Sequence, residues 1–147
     1  MKESSMIAQT YAKNFLNKHF ATNETARKYL ETHNLHIHFP EGAVKKDGPS
    51  AGITITSAMV SLALGQAVPQ DIAMTGEISL NGKVLAIGGV KEKTMAAARE
   101  GITKLIFPKA NEKDVNELPE YIKEGLSFHF VEDYTDVFRI LFPDFKL

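Results

Sequence analysis

The chain contains no cysteine. That excludes disulfides, cysteine–zinc sites and thiol catalysis, and it suits a reducing compartment. Charge of one sign is also lacking: 17 basic and 18 acidic residues leave a net −1, so no overall field draws nucleic acid or an anionic membrane to this domain. No apolar run is long enough to cross a bilayer. There is no internal repeat, linker or low-complexity tract. A phosphate-binding G-x-x-x-x-G-K-[ST] loop is missing too, since Gly82-Lys83 is followed by Val84. What is present is an ordinary folded composition, 44% hydrophobic and 24% charged over 147 residues. This is enough for one domain, residues 1–147, with a real core.

The spacing predicts a mixed α/β order. Residues 4–19 carry a helical stripe of Ile7, Tyr11 and Phe15 beside Ala8, Ala12 and Leu16. The stretch is amphipathic and lysine-bearing, as a transit peptide is, but a core-facing helix needs the same stripe. Residues 20–34 read as a loop with a short helix. "LHIHF", Leu35 to Phe39, alternates apolar residues with histidine and reads as a strand ended by Pro40. Residues 51–64 read as a buried helix before Gly65. "DIAMTGEISLNGKVLAI" reads as two strands around Asn81-Gly82, a pair suited to a type I′ turn. A helix over about 90–100 closes at Gly101. "KLIF" reads as a buried strand, 111–116 as a short helix, and "LSFHFVE" as another strand. "DYTDVFRILF" is a last helix with Asp133 as its cap.

"KKDGPSAG", Lys45 to Gly52, poses the functional question. Ser50 before an apolar helix is a good N-cap. A helix start also offers free N–H groups and a positive dipole end, which stabilise an oxyanion. Gly48 and Gly52 would let a substrate backbone approach. Residues 48–52 match the G-x-S-x-G elbow of α/β hydrolases, yet no strand runs into Ser50 and only His129 follows as a triad histidine. His36 and His38 share a strand face in this reading, with no third residue to complete a metal site. A lysine can act as base if burial lowers its pKa. In "GGVKEKTMAAAREG" helical spacing puts Lys91 and Lys93 on opposite flanks of the apolar stripe, and periodicity does not choose between them.

Three stretches then converge: "HIHFPEGAVKKDGPSAG", "AMTGEISLNGKVLAIGGVKEKTMAAAREG" and "GLSFHFVEDYTDVFRILFP". Together they resemble the proteolytic domain of Lon proteases over nearly the whole chain. The tail and "KEKTMAAAREGI" look more like the mitochondrial type than the common bacterial one. The resemblance implies the Lon proteolytic-domain fold, with mixed sheets and flanking helices. It implies a Ser–Lys dyad, with Ser50 on the family's nucleophile and Lys93, 43 positions further along, on its base. Thr75 matches a threonine that helps orient the lysine. Glu77, His36 and His38 match positions near the active site, and Asp47 an acidic residue beside the serine that could pair with the lysine in a closed arrangement.

The implied activity is ATP-dependent serine endopeptidase action on unfolded or damaged polypeptides, in a homo-hexameric ring of the mitochondrial matrix or of the bacterial cytoplasm. ATP and Mg²⁺ would belong to an ATPase domain elsewhere, and no cofactor or metal to this one. Membrane and DNA partners are not indicated. The family's domain starts several strands before "MKES", so the chain reads as a fragment of a longer protein with N-terminal strands missing. Ala86 stands where many relatives have proline, and Val44-Lys45 replaces Thr-Pro, which bears on loop rigidity. Two other readings stand beside this one. One is a small esterase using Ser50 and His129, and the other a catalytically silent interaction module in which Ser50 is only a cap.

Overall fold

The computed structural model of the protein describes residues 2–40 and 49–147. The N-terminal stripe becomes helix α1 (Lys2–His19), with Ala8, Ala12, Phe15 and Leu16 buried. Helix α2 (Glu24–Thr32) follows. Its start is set by Asn23, whose side-chain oxygen accepts a hydrogen bond from the Ala26 amide at 3.0 Å. The segment after it departs from expectation. No strand forms over Leu35–Phe39, and no sheet among the described residues includes it. Alternation says which side chains an extended chain would present on each face, but a strand exists only where a neighbour completes the ladder. His36, Ile37 and His38 are exposed.

Helix α3 (Gly52–Leu64) is the central pillar and packs along α1. Ile53, Ile55, Met59, Val60 and Ala63 are buried. Its polar interior residues are accounted for: the Thr56 and Ser57 hydroxyls donate to the Gly52 and Ile53 carbonyls at 2.9 and 2.7 Å. The fully buried Tyr134 hydroxyl donates to Ser57 Oγ at 3.1 Å. Burial pushes that phenol far above the ordinary tyrosine range.

The segment expected to hold two strands holds three, because the chain changes sheets at Thr75-Gly76. β1 (Ile72–Met74) joins a parallel sheet with β4 (Lys104–Pro108) and β5 (Ser127–Val131), in the order β1-β4-β5. β2 (Glu77–Ile78) and β3 (Val84–Leu85) form a separate antiparallel hairpin. Its connection is not the two-residue type I′ turn. The Ser79 amide donates to the Lys83 carbonyl and the Gly82 amide to the Ser79 carbonyl, both at 3.0 Å. The loop is therefore Leu80-Asn81-Gly82, with only its last residue required at positive φ; Gly82 has φ 86°.

Between β3 and β4 lies helix α4 (Val90–Arg99). After β4 come a 3₁₀ turn (Lys109–Asn111) and helix α5 (Glu112–Asn116). A short helix that the sequence reading did not find, α6 (Glu120–Lys123), precedes β5. Helix α7 (Tyr134–Leu141) ends the fold, with the Asp136 carboxylate accepting from the Asp133 and Glu132 amides at 3.2 Å.

Strand periodicity sorts the side chains into two cores. Leu105 and Phe107 of β4 point to the α4 side, among Val90, Ala97 and Val115. Ile106 points the other way, into the larger core of α1, α3 and α7. Helices thus cover both faces of a parallel sheet whose middle strand is buried from Leu105 to Pro108, with Lys104 exposed at its start, which is why "LIF" is a continuous apolar run. β1 obeys the same alternation: Ile72 and Met74 pack on the α3 side and Ala73 on the α4 side.

The start of α3 sits so close to β2 that residue 52 has no room for a side chain. A Cβ there would lie 2.7 Å from the Ile78 amide nitrogen and 2.9 Å from Ile78 Cγ2. Gly52→Ala is therefore expected to destabilise the domain by roughly 1–3 kcal/mol through overpacking. Gly88→Ala, where a Cβ meets nothing within 4 Å, should stay within about 0.5 kcal/mol of the parent. Urea denaturation of the two variants checks this, and a Gly52→Ala protein as stable as the parent would contradict the close approach.

Candidate active site

Ser50 is half-buried in the turn that precedes α3. The residue at the helix N-cap is Ala51, and no side chain caps it. The cap role open to Ser50 is thus not used, although its backbone is tightly held. The Ser50 carbonyl accepts from the Gly76 amide at 2.8 Å and from the Thr75 hydroxyl at 3.4 Å. The Gly76 carbonyl in turn accepts from the Ile53 amide at 3.1 Å. These bonds stitch the "PSAG" turn to the "TGE" segment across 25 positions of sequence. Thr75 is anchored from its other side, since its amide donates to the Ile106 carbonyl of β4 at 3.1 Å.

Thr75 follows β1 in the alternation that sends Ala73 towards α4. Both line a cavity of about 480 Å³ together with Ala97, Ile102, Phe107 and Lys93. Lys93 lies one turn into α4, its amide bonded to the Gly89 carbonyl at 2.9 Å. Lys91, which periodicity left as an equal candidate, is exposed, whereas Lys93 is half-buried. The difference follows from the walls of this cavity, which are mostly aliphatic and aromatic. Burial lowers the Lys93 amine below the ordinary lysine range. Among the described residues no carboxylate pairs with it. An amine held below the ordinary lysine range gives up its proton more readily, and in its neutral form it can accept one from a hydroxyl.

The other residues named from the sequence are placed as follows. His36 and His38 line a second cavity, of about 400 Å³, with Leu35, Phe39, Thr54 and Met59. It is not the one that holds Lys93, but the Thr54 hydroxyl donates to the Met74 carbonyl at 3.3 Å, which links the two linings. Glu77 opens β2, half-buried and opposite Leu85, and lines neither cavity. Asp47 lies outside the described residues, as do Val44, Lys45 and Gly48. His129 is on β5, paired with Ile106, so β4 separates it from β1. Two inter-strand spacings put it about 10 Å from the β1 axis, and among the described residues it makes no hydrogen bond to Ser50.

The sequence reading missed Asn111. It is 3% exposed, and its amide holds the backbone of Ile87 just ahead of α4. An asparagine before "EKD" reads as an ordinary helix start, and nothing local signals a contact 24 residues away.

Comparison with known proteins identifies the family. The profile of the Lon protease (S16) C-terminal proteolytic domain matches residues 1–144. The chain is 56% identical over 143 residues to the mitochondrial Lon protease homologue of Rattus norvegicus, covering 97% of this chain and 15% of that protein. It is 54% identical to the corresponding protein of Homo sapiens and 57% to that of Drosophila melanogaster, each over 144 residues. These alignments cover 98% of this chain and 15% and 14% of the relatives. The chain therefore spans about 15% of the length of the curated relatives it matches.

Two lysines should titrate in opposite directions. Lys83 Nζ donates to the Asp133 carboxylate at 3.0 Å, and this holds its ammonium above the ordinary lysine range. In a ¹³Cε NMR titration Lys93 is expected to lose its proton below the free-lysine value of about 10.4 and Lys83 above it. A Lys93 midpoint at or above the free value would contradict the burial described here.

Proposed function

The chain belongs to the Lon protease (S16) C-terminal proteolytic domain family, and from that premise we propose that Ser50 and Lys93 are its catalytic dyad. The Ser50 hydroxyl gives its proton to the neutral Lys93 amine as Oγ bonds to the carbonyl carbon of a peptide. The oxyanion forms near the N-terminal end of α3, where the helix dipole is positive. Lys93, now an ammonium, returns the proton to the departing amine as the C–N bond breaks. Water, deprotonated by the same amine, then releases the acyl group from Ser50 and restores the dyad. Thr75 supports the geometry by bonding the Ser50 carbonyl while lining the cavity of Lys93. Supporting roles for Glu77, His36, His38 and Asp47 rest on the family resemblance alone.

One observation carries this reading. A lysine with a lowered pKa and no carboxylate partner among the described residues shares a cavity with the threonine that is bonded to the Ser50 backbone. The relatives are named mitochondrial Lon proteases, which supports a mitochondrial location; a place in the matrix and action on unfolded polypeptides within a homo-hexameric ring belong to the same proposal. ATP and Mg²⁺ would act in a separate ATPase domain. With no phosphate-binding loop in this sequence, no step above passes through them.

Ser50→Ala and Lys93→Gln, each made in the ATP-supplied protein that carries this domain, should lower protein degradation on the order of 10⁴-fold or more. Degradation at the parent rate in either variant would contradict the dyad. The pH dependence has a fixed sign. Lys93 must be deprotonated to act, so the rate rises with pH through its pKa, and that rise should be centred below about 10.4.

A further inference from the structure

Asn111 is the least exposed amide side chain outside the site just described, and all its hydrogen-bonding groups are committed. Its Oδ1 accepts from the Ile87 amide at 2.9 Å. Its Nδ2 donates to the Ile87 carbonyl and to Asp114 Oδ2, both at 2.9 Å. One side chain thus does for Ile87 what a neighbouring strand would do, satisfying donor and acceptor together. Asp114 supplies the handedness. A carboxylate only accepts, so the amide nitrogen must face it, and the oxygen is left for the Ile87 N–H.

Ile87 occupies a sensitive point. It follows β3 and is separated from α4 only by Gly88 and Gly89, two residues with no side chains to pack. Gly88 touches nothing a Cβ would reach within 4 Å. The helix that carries Lys93 is therefore entered through a stretch whose own side chains do not fix it, and the Gly89 carbonyl is the acceptor for the Lys93 amide. Val90 packs into the α4-side core with Phe107 and Val115, and the half-buried Ile87 side chain packs against the same core; the Asn111 bonds add a directional hold on the Ile87 backbone where α4 begins.

We propose that Asn111 is a positioning residue that fixes the entry of α4 through the Ile87 backbone and thereby aims Lys93 at Ser50. The proposal rests on the dyad reading and adds to it a residue that touches neither substrate nor the reacting atoms. Asparagine is required by the pattern. Aspartate would set a carboxylate against the Ile87 carbonyl and Asp114, and an apolar residue would leave both partly buried Ile87 groups without their Asn111 partners.

The test uses Asn111→Ala with two site-resolved readouts. Hydrogen exchange at the Ile87 amide should quicken roughly 10- to 100-fold, as for the loss of one to two buried bonds, while exchange at the Ile106 amide stays at the parent rate. The Lys93 titration midpoint should rise towards the free-lysine value as the amine swings out. Glu100, the other ionisable side chain lining the Lys93 cavity among the described residues, and Glu92, beside Gly89 with the Lys93 stem, are left in place. Exchange at Ile87 that is unchanged, or that rises only in step with Ile106, overturns the proposal. So does a Lys93 midpoint equal to the parent's. If Asn111→Ala does not fold, Asn111→Leu, which keeps the volume and loses all three bonds, is read in the same way. Failure of both to fold, with Asp114→Ala unaltered in both readouts, also overturns it. None of these readouts involves Ser50 chemistry. An active Ser50→Ala would sink the dyad and leave these results untouched, whereas an unmoved Lys93 would sink the positioning role alone.

Discussion

The whole arrangement depends on a pair of main-chain hydrogen bonds between two short segments. The Gly76 amide donates to the Ser50 carbonyl at 2.8 Å, and the Ile53 amide donates to the Gly76 carbonyl at 3.1 Å. The exchange resembles one rung of a ladder, made between a helix start and the end of a strand. It requires the backbones to meet without intervening side chains. Gly52 meets that need on one side, as does Gly76 on the other, where a Cβ would lie 2.8 Å from Val84 Cγ1. Bonds of this kind contribute about 1 kcal/mol each in net terms. Their larger consequence is geometric, because they fix the turn that carries Ser50 against the point where the chain passes from the parallel sheet to the hairpin.

That point has a second property. β1 ends at Met74, and the next residue continues the alternation of Ala73 towards α4. Thr75 can therefore bond the Ser50 turn, which belongs to the α3 layer, and still line a cavity walled by α4. Two helix layers on opposite faces of a sheet meet only at strand ends. In a parallel sheet the carboxyl ends are where sites gather. The lysine needs only to stand one turn into α4 to face the same opening. Its lowered pKa is then a consequence of position, since the cavity walls there are mostly apolar and the one carboxylate among them, Glu100, makes no ion pair with Lys93.

Much of this was legible in the sequence where local periodicity and burial agree. The α1 stripe, the α3 apolar run, the buried "KLIF" strand and the Gly101 helix end all form as read. The failures come from non-local terms. "LHIHF" alternates properly yet has no ladder among the described residues. The "IAMTGEI" stretch reads as one strand because nothing local marks a change of sheet. Asn81-Gly82 reads as a two-residue turn, but register makes it part of a three-residue loop. Lys91 and Lys93 are equivalent on a helical wheel; only the neighbouring strand distinguishes them. Family resemblance singled out Lys93, and the cavity supplies a physical reason why that lysine, and not Lys91, is the less solvated one. Asn111 escaped notice because a clamp on a backbone 24 residues away leaves no trace in composition.

The most direct measurement of the central claim is a crystal structure of the protein with a peptidyl boronate bound. The account predicts a covalent bond from Ser50 Oγ to boron, with Lys93 Nζ within about 3.2 Å of that oxygen and the Ser50 carbonyl still bonded to the Gly76 amide. A boronate carried on Ser50 with Lys93 extended into solvent and a histidine at the oxygen would contradict it.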